Sequence, residues 1–279
     1  MNTRVMHPSG FKSDAGALGR LYRDEPVLFV FAVIFAAMML PTFLALLVET
    51  RTFNGINVWI KPLKFMSSAA IFLMTLALFM PYLDSADRAR KSVRFMVWAI
   101  SVILLLEIIY ITYRASLAEA SHFNRTSTRD IVYYALMGAG ILTATVMSGW
   151  LGWLILRAKE KVANADLRFA IAVGLLAGCV LGSVTGQYMS AQSNHWVGGI
   201  ETDAGGSFLF GWSRTGGDLR VAHFIGLHAM QGIPLIGWLA TCYVPRRARN
   251  IVIAATVLWT IATAAVFAQA VAGRPFPAL

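Results

Sequence analysis

The residues with the most chemistry in this chain lie between Trp212 and Gln231. There Arg220, His223, His228 and Gln231 occupy the start of an apolar run, Leu219–Val244. Ionisable groups inside hydrocarbon are costly, so they mark a pathway, a site or a buried polar network. On a continuous helix turning about 100° per residue, His223 lies at about −60° from Arg220, Gln231 at about +20° and His228 at about +80°. The four then form one polar stripe, with His228 about 15 Å below Asp218 at the usual helical rise.

Two other runs offer matching faces. Glu107, Tyr110 and Arg114 are spaced i, i+3, i+7, and Lys61, Lys64 and Ser68 also share a side. Glu107 is expected to meet a cationic group of the second or sixth helix, foremost Lys64, Arg220, His223 or His228, because an isolated carboxylate at that depth would be costly to ionise. The reading assigns acid–base chemistry to Glu107, His223 and His228. Ligand binding falls to Lys61, Lys64, Arg114, Arg214, Arg220 and Gln231. His122, His223 and His228, with Glu107, form a candidate metal set, since imidazole nitrogen and carboxylate oxygen are common ligands. The five-residue step from His223 to His228 weakens that set, because two imidazoles on one metal favour i, i+4.

Several chemistries are disfavoured. A retinal Schiff base needs a lysine in the last helix, and 251–273 has none. A haem held between two facing spans needs histidines on both, and only the sixth apolar run contains any. A haem near one surface, using His122 or His195, stays open. No GxSxG, P-loop or lipid-phosphatase signature occurs, and seven-helix zinc hydrolases of the ceramidase type carry a closely spaced histidine pair that has no counterpart here. Cys179 and Cys242 fall in apolar runs without CxxC spacing, which argues against redox chemistry.

The elements that must position these residues are apolar. Of the 279 residues 57% are hydrophobic and 14% charged, and the mean hydropathy is +0.63. Seven long runs follow: Pro26–Val48, Pro62–Leu83, Phe95–Tyr113, Ile131–Leu156, Phe169–Ala191, Leu219–Val244 and Ile251–Gly273. Each approaches the roughly 20 residues a helix needs to cross hydrocarbon, and none alternates like a barrel strand. The fold expected is all-α, a seven-helix transmembrane bundle over 26–279 with a cytoplasmic tail at 1–25. A short surface helix is expected over Ala17–Tyr22. No apolar core precedes Pro26, so no cleavable signal peptide is read.

Charge orients the bundle. Fifteen of the 24 basic residues lie in the tail and in the second, fourth and sixth connections. Alternating helices put these on one side, so the N-terminus is expected in the cytoplasm, the C-terminus outside and the protein in the plasma membrane. The net charge of +10 is then topological and lipid-facing, and no nucleic-acid partner is expected.

The fifth connection, 192–218, holds seven glycines together with Trp196, Phe208, Phe210 and Trp212, and reads as an outer lid. Thr128-Arg-Asp130 reads as a helix cap. Gly174, Gly178, Gly182 and Gly186 recur every four residues and predict a groove for a neighbouring backbone.

The polar residues therefore outline an outward-facing, electropositive pocket for an anionic, lipid-like or quinone-like ligand, in a membrane-embedded enzyme or a metal- or haem-cofactor protein. The alternatives are a structural ion-pair network, a proton-coupled transporter, or a non-catalytic subunit or sensor. Transport calls for a discontinuous helix, and no apolar run reads as broken.

Overall fold

The computed structural model describes residues 16–162, 164–208 and 210–277; the first fifteen residues of the tail lie outside them. The helices are α1 (Ala17–Asp24), α2 (Pro26–Val48), α3 (Ile60–Phe79), α4 (Ser85–Arg88), α5 (Lys91–Ser116), α6 (Thr128–Arg157), α7 (Ala165–Ala191), α8 (Leu219–Leu227), α9 (Ala229–Tyr243) and α10 (Ala248–Val271). The only strands among the described residues are two-residue ladders, β1 (Thr52–Phe53) with β2 (Ile56–Asn57) and β3 (Trp196–Val197) with β4 (Gly217–Asp218). Both lie in connections.

Six helices, α2, α3, α5, α6, α7 and α10, are long and apolar enough to cross a membrane, and α8 with α9 makes a seventh if the bent pair is one span. Large apolar side chains such as Phe95, Leu106, Leu136 and Leu258 face outward. A protein in water rarely exposes such a continuous apolar surface, whereas a bundle in hydrocarbon must. The protein is a multi-pass all-α membrane bundle.

The core is largest among α2, α3, α5 and α6, around Phe35, Met66, Leu73, Ile100 and Leu151. Helix α7 contacts α6, α8, α9 and α10, and its glycine stripe explains how. A Cβ added at Gly174 would lie 2.6 Å from Pro234 Cδ, and one at Gly178 3.0 Å from the Leu227 carbonyl oxygen. Gly182 and Gly186 similarly abut Leu227 and His223. The stripe seats the sixth span, as its spacing predicts.

That span corrects the sequence reading. It is not one helix: α8 and α9 meet at His228 with a 45° bend. One carbonyl freed there finds a partner elsewhere. Ile225 O, whose helical donor would be the first amide of α9, accepts the Trp259 indole N–H from α10 at 2.8 Å. The Trp259 ring fills the space a side chain on Gly232 would need. Non-helical backbone at membrane depth is tolerated where it is buried in protein and its polar groups are satisfied.

The two ends of the bundle differ. One carries the 49–59, 117–127 and 192–218 connections and the end of α10; it is called the lid end. The other carries α1, α4 and the basic connections. There Asp84 accepts the Lys159 and Glu160 amides at 2.9 and 2.8 Å, clasping the second connection to the fourth. Helix α1 extends the short helix expected at 17–22 and buries Leu21.

Candidate functional site

At the lid end, Asn54 and Gly55 both take positive φ, 51° and 82°, which an Asn-Gly hairpin turn between β1 and β2 requires. Asn54 O accepts the Asp203 amide at 2.9 Å and the Thr202 hydroxyl at 3.0 Å. The hairpin tip therefore pins the middle of the 192–218 connection. Its two ends are tied by β3 and β4, and Leu219 N donates to His195 O at 3.0 Å. Gly217 lies against the Ala270 backbone of α10, where no Cβ would fit. This connection is thus folded and tied down at that end of the bundle, and is called the lid below.

Arg220 is built into the lid. Its Nε and Nη2 reach the Asp218 carboxylate at 3.0 and 2.7 Å, and Nη2 also donates to Gly211 O at 2.9 Å and lies 2.8 Å from Asp203. Asp218 also caps α8 through the Arg220 amide and accepts the Ser213 amide, both at 3.0 Å. Against the burial that opposes it, the His195 imidazole and the Arg220 guanidinium beside it hold the Asp218 carboxyl below the usual carboxylate range. His195 stands 3.6 Å from Asp218, and burial keeps its imidazole below its ordinary value. Arg220 is thus a positioning cation, occupied by two carboxylates.

The other predicted ligand-binding residues divide. Arg114 at the end of α5 pairs with Asp130 at 2.9 Å and Glu119 at 3.0 Å. Asp130 in turn is tied to the helix cap Ser127, accepting its hydroxyl at 2.8 Å while its own amide donates to the same oxygen at 3.1 Å. The cap is Ser127, one residue before the stretch read from sequence. Arg214 is exposed on the lid. Lys64 donates to Phe210 O at 2.8 Å, so it too holds the lid. Gln231 bridges His228, at 3.2 Å, and Thr75 of α3, at 3.4 Å.

The predicted catalytic trio does not assemble. His223 turns towards α7, its Nδ1 3.0 Å from Gly182 O. A carbonyl only accepts, so Nδ1 carries the proton. His228, at the break, sits against Phe224 with ring centroids 4.1 Å apart. Neither reaches Glu107. The metal set is not brought together either: His223 is committed to α7 and His228 to Gln231, and no group of three or more histidine, cysteine or acidic side chains that could hold a metal ion occurs among the described residues. The continuous stripe drawn at 100° per residue ends at the break.

What does assemble is Lys61, Glu107 and His122. Glu107 Oε1 lies 3.8 Å from His122 Nε2, and the His122 Nδ1 is 3.1 Å from the Ser121 hydroxyl. Glu107 is buried, with 7% of its surface exposed. Its neighbouring cation is Lys61, on the second span as expected though not one of the four foremost candidates; it acts on Glu107 and His122 through its field, from beyond 4 Å of the carboxylate. The Lys61 ammonium stands 5.9 Å from the Phe65 ring and has no carboxylate within 4 Å among the described residues. Burial, reinforced by Lys61, pushes His122 well below its ordinary value, so its imidazole is neutral at pH 7. Phe123, next in the chain, adopts φ 57°, a left-handed conformation that costs a non-glycine residue strain.

No family, curated protein or solved structure matches this chain. The site is therefore read from its chemistry alone.

Sequence reasoning missed Ser121 and Asp203, and weighed His195 only as a haem ligand. His195 and Asp203 lie in the lid, and only their paired titratable types in a glycine-rich loop could have signalled them. The Asn54-Gly55 dipeptide was a readable turn signal.

Beside Lys64, a cavity of about 390 Å³ opens between α2 and α3, lined by Met39, Leu40, Phe43, Leu63 and Ser67. It is apolar except at the Lys64 and Ser67 side, so it offers room for an alkyl chain whose polar end meets a cation.

Proposed function

We propose that this protein binds a small anionic, lipid-like or quinone-like ligand at the lid end, with Lys61 and Lys64 as its cationic contacts. Glu107 and His122 form the pair that exchanges protons with it. The observation that carries the reading is Lys61: an ammonium beside a buried carboxylate and a neutral imidazole, yet without an ion-pair partner of its own. Partly buried cations without partners are costly, and an anionic group arriving there would offset that cost. The groove beside Lys64 supports a ligand with an apolar tail. This makes Glu107 an acid–base group and moves the second such role from His223 and His228 to His122. Metal or haem ligation is not part of this reading.

The lid end faces outward in this proposal, in the plasma membrane, with the N-terminus cytoplasmic. Fifteen of the 24 basic residues support it, falling in the tail and in connections at the opposite end. Reporter fusions after Leu83, Leu156 and Val244 should all report the cytoplasm, and an external signal at two of them would overturn the orientation.

For the ligand, the test is mass spectrometry of small molecules co-purified with the wild type, Lys61→Gln and Glu107→Gln. Both variants should insert and melt like the wild type while losing a shared species. Equal retention in both would remove the site reading and leave a structural network.

Proton-coupled transport is the second reading, favoured by the break at His228. Discontinuous helices commonly form transporter sites near mid-membrane, and His228, Gln231 and Thr75 supply polar groups beside this one. Uptake into proteoliposomes driven by a pH gradient, and abolished by His228→Ala, would favour it over a one-sided site.

A further inference from the structure

At the end opposite the lid, a second cavity of about 330 Å³ lies where α1, α2, α4 and α5 meet. Its charged lining is Asp24, Glu25, Arg88 and Arg94, with Val97 and Trp98 on its apolar side. Glu25 is the informative residue. Only 8% of its surface is exposed, and its carboxyl makes no hydrogen bond or ion pair among the described residues. Burial pushes it up to about 7, with Arg88 and Arg94 acting the other way from beyond contact distance. Arg88 and Arg94 likewise have no carboxylate within 4 Å among the described residues, although Arg90 beside them pairs with Asp87 at 2.9 Å. Two carboxylates and two guanidiniums thus line one space without neutralising each other directly. Trp98 is half-exposed on the outer surface and meets Phe31 edge-on at 6.0 Å. An indole in that position is typical of the membrane–water interface.

We propose that this cavity binds the headgroup of a phospholipid bearing a primary ammonium, such as phosphatidylethanolamine. The phosphodiester would lie between Arg88 and Arg94, the ammonium against Glu25 and Asp24, and the acyl chains along Val97 and Trp98. A purely anionic headgroup would leave the Glu25 carboxylate buried without a cation. A trimethylated headgroup has no N–H to donate to it. The zwitterion with donors satisfies both charge pairs, independently of any ligand at the lid end.

The test uses the full-length protein, delipidated in detergent and titrated with short-chain phosphatidylethanolamine, phosphatidylcholine, phosphatidylglycerol or inorganic phosphate, read as bound fraction by native mass spectrometry. Phosphatidylethanolamine should bind about tenfold more tightly than the other three, the scale of one lost charge-assisted hydrogen bond. Glu25→Gln should erase its advantage over phosphatidylcholine while leaving choline-lipid binding unchanged. Arg88→Ala and Arg94→Ala should weaken both lipids by about tenfold or more. Equal binding of phosphatidylethanolamine and phosphatidylglycerol, or an undiminished preference in Glu25→Gln, would overturn the proposal. Inorganic phosphate binding as tightly as the lipid would reduce the cavity to an anion site and also overturn it. If an arginine variant fails to fold, Glu25→Gln, which removes one charge without changing shape, still decides.

Discussion

The seating of the broken sixth span on the α7 glycines can be tested by adding a single methyl group. At Gly174 a Cβ would lie 2.6 Å from Pro234 Cδ, 2.9 Å from its Cγ and 3.1 Å from Ala229 O. Carbon atoms pack at about 3.5–4.0 Å, so the proline ring or the backbone must retreat by roughly 1 Å. A proline ring has no rotamer to escape into, and Ala229 O belongs to the backbone at the bend. Forced insertion into a packed interior costs about 1–3 kcal/mol. Alanine also gains about 1 kcal/mol over glycine from helix propensity, which would blur the effect of Gly174→Ala alone. Gly138, in α6, supplies the control, because a Cβ there meets nothing within 4 Å. Propensity cancels between the two variants, so Gly138→Ala should be the more stable by about 1–3 kcal/mol. Reversible unfolding in mixed micelles with increasing SDS measures this difference. Equal stabilities would mean that the α7–α9 contact is loose, and the account of the glycine stripe would fall.

Two further outcomes follow from the same geometry. Trp259→Phe removes both the N–H that satisfies Ile225 O and the distal ring atoms that lie against Gly232; the same unfolding assay should show a loss of about 1 kcal/mol or more, and no loss would mean that water replaces the indole. The lid should loosen in acid, because burial holds His195 below its ordinary value of 6.5, and burial does the same to His122. A histidine depressed in the folded state gains a proton on unfolding, so its contribution is complete above about 6.5 and is lost as the pH falls below that. The Asp218 carboxyl, held low, loses its contribution only at far more acid pH. Amide exchange across 192–218 should therefore show less protection at about pH 5.5 than at about pH 7.5 after correction for intrinsic rates; unchanged protection would refute the role given to these imidazoles.

The spans were legible because hydropathy over some 20 residues is a sum that no single contact can overturn. The run read as Pro26–Val48 is α2 as observed; α5, α6 and α7 exceed their predicted cores where polar residues complete the helix ends, and α10 is the run read as Ile251–Gly273 shifted towards the N-terminus. The glycine stripe was legible because four-residue spacing fixes a face whatever partner it meets. The break at His228 was not. Its cause is tertiary: the Ile225 carbonyl released there is satisfied by Trp259, 34 residues away in sequence, and the α7 glycines let the bent backbone pack close. Once the axis bends by 45°, angular placement carried across residue 228 loses its meaning, and the stripe from Arg220 to Gln231 divides into separate contacts.

The candidate site shifted for a related reason. Sequence counts cations, whereas function depends on which of them remain unpaired. Arg114 and Arg220 each find two carboxylates within 3.0 Å, and the partners of Arg220, Asp203 and Asp218, belong to a lid whose fold could not be derived from composition. Lys64 is held by a backbone oxygen, which accepts its hydrogen bond but leaves its charge uncompensated. Lys61 lacks even that contact. The broad electropositive pocket thus contracts to two lysines facing one buried carboxylate and a neutral imidazole. This smaller set makes the ligand proposal easier to defeat: if Lys61→Gln, Lys64→Gln and Glu107→Gln all leave the co-purified molecules unchanged, no member of the set remains to take over the role.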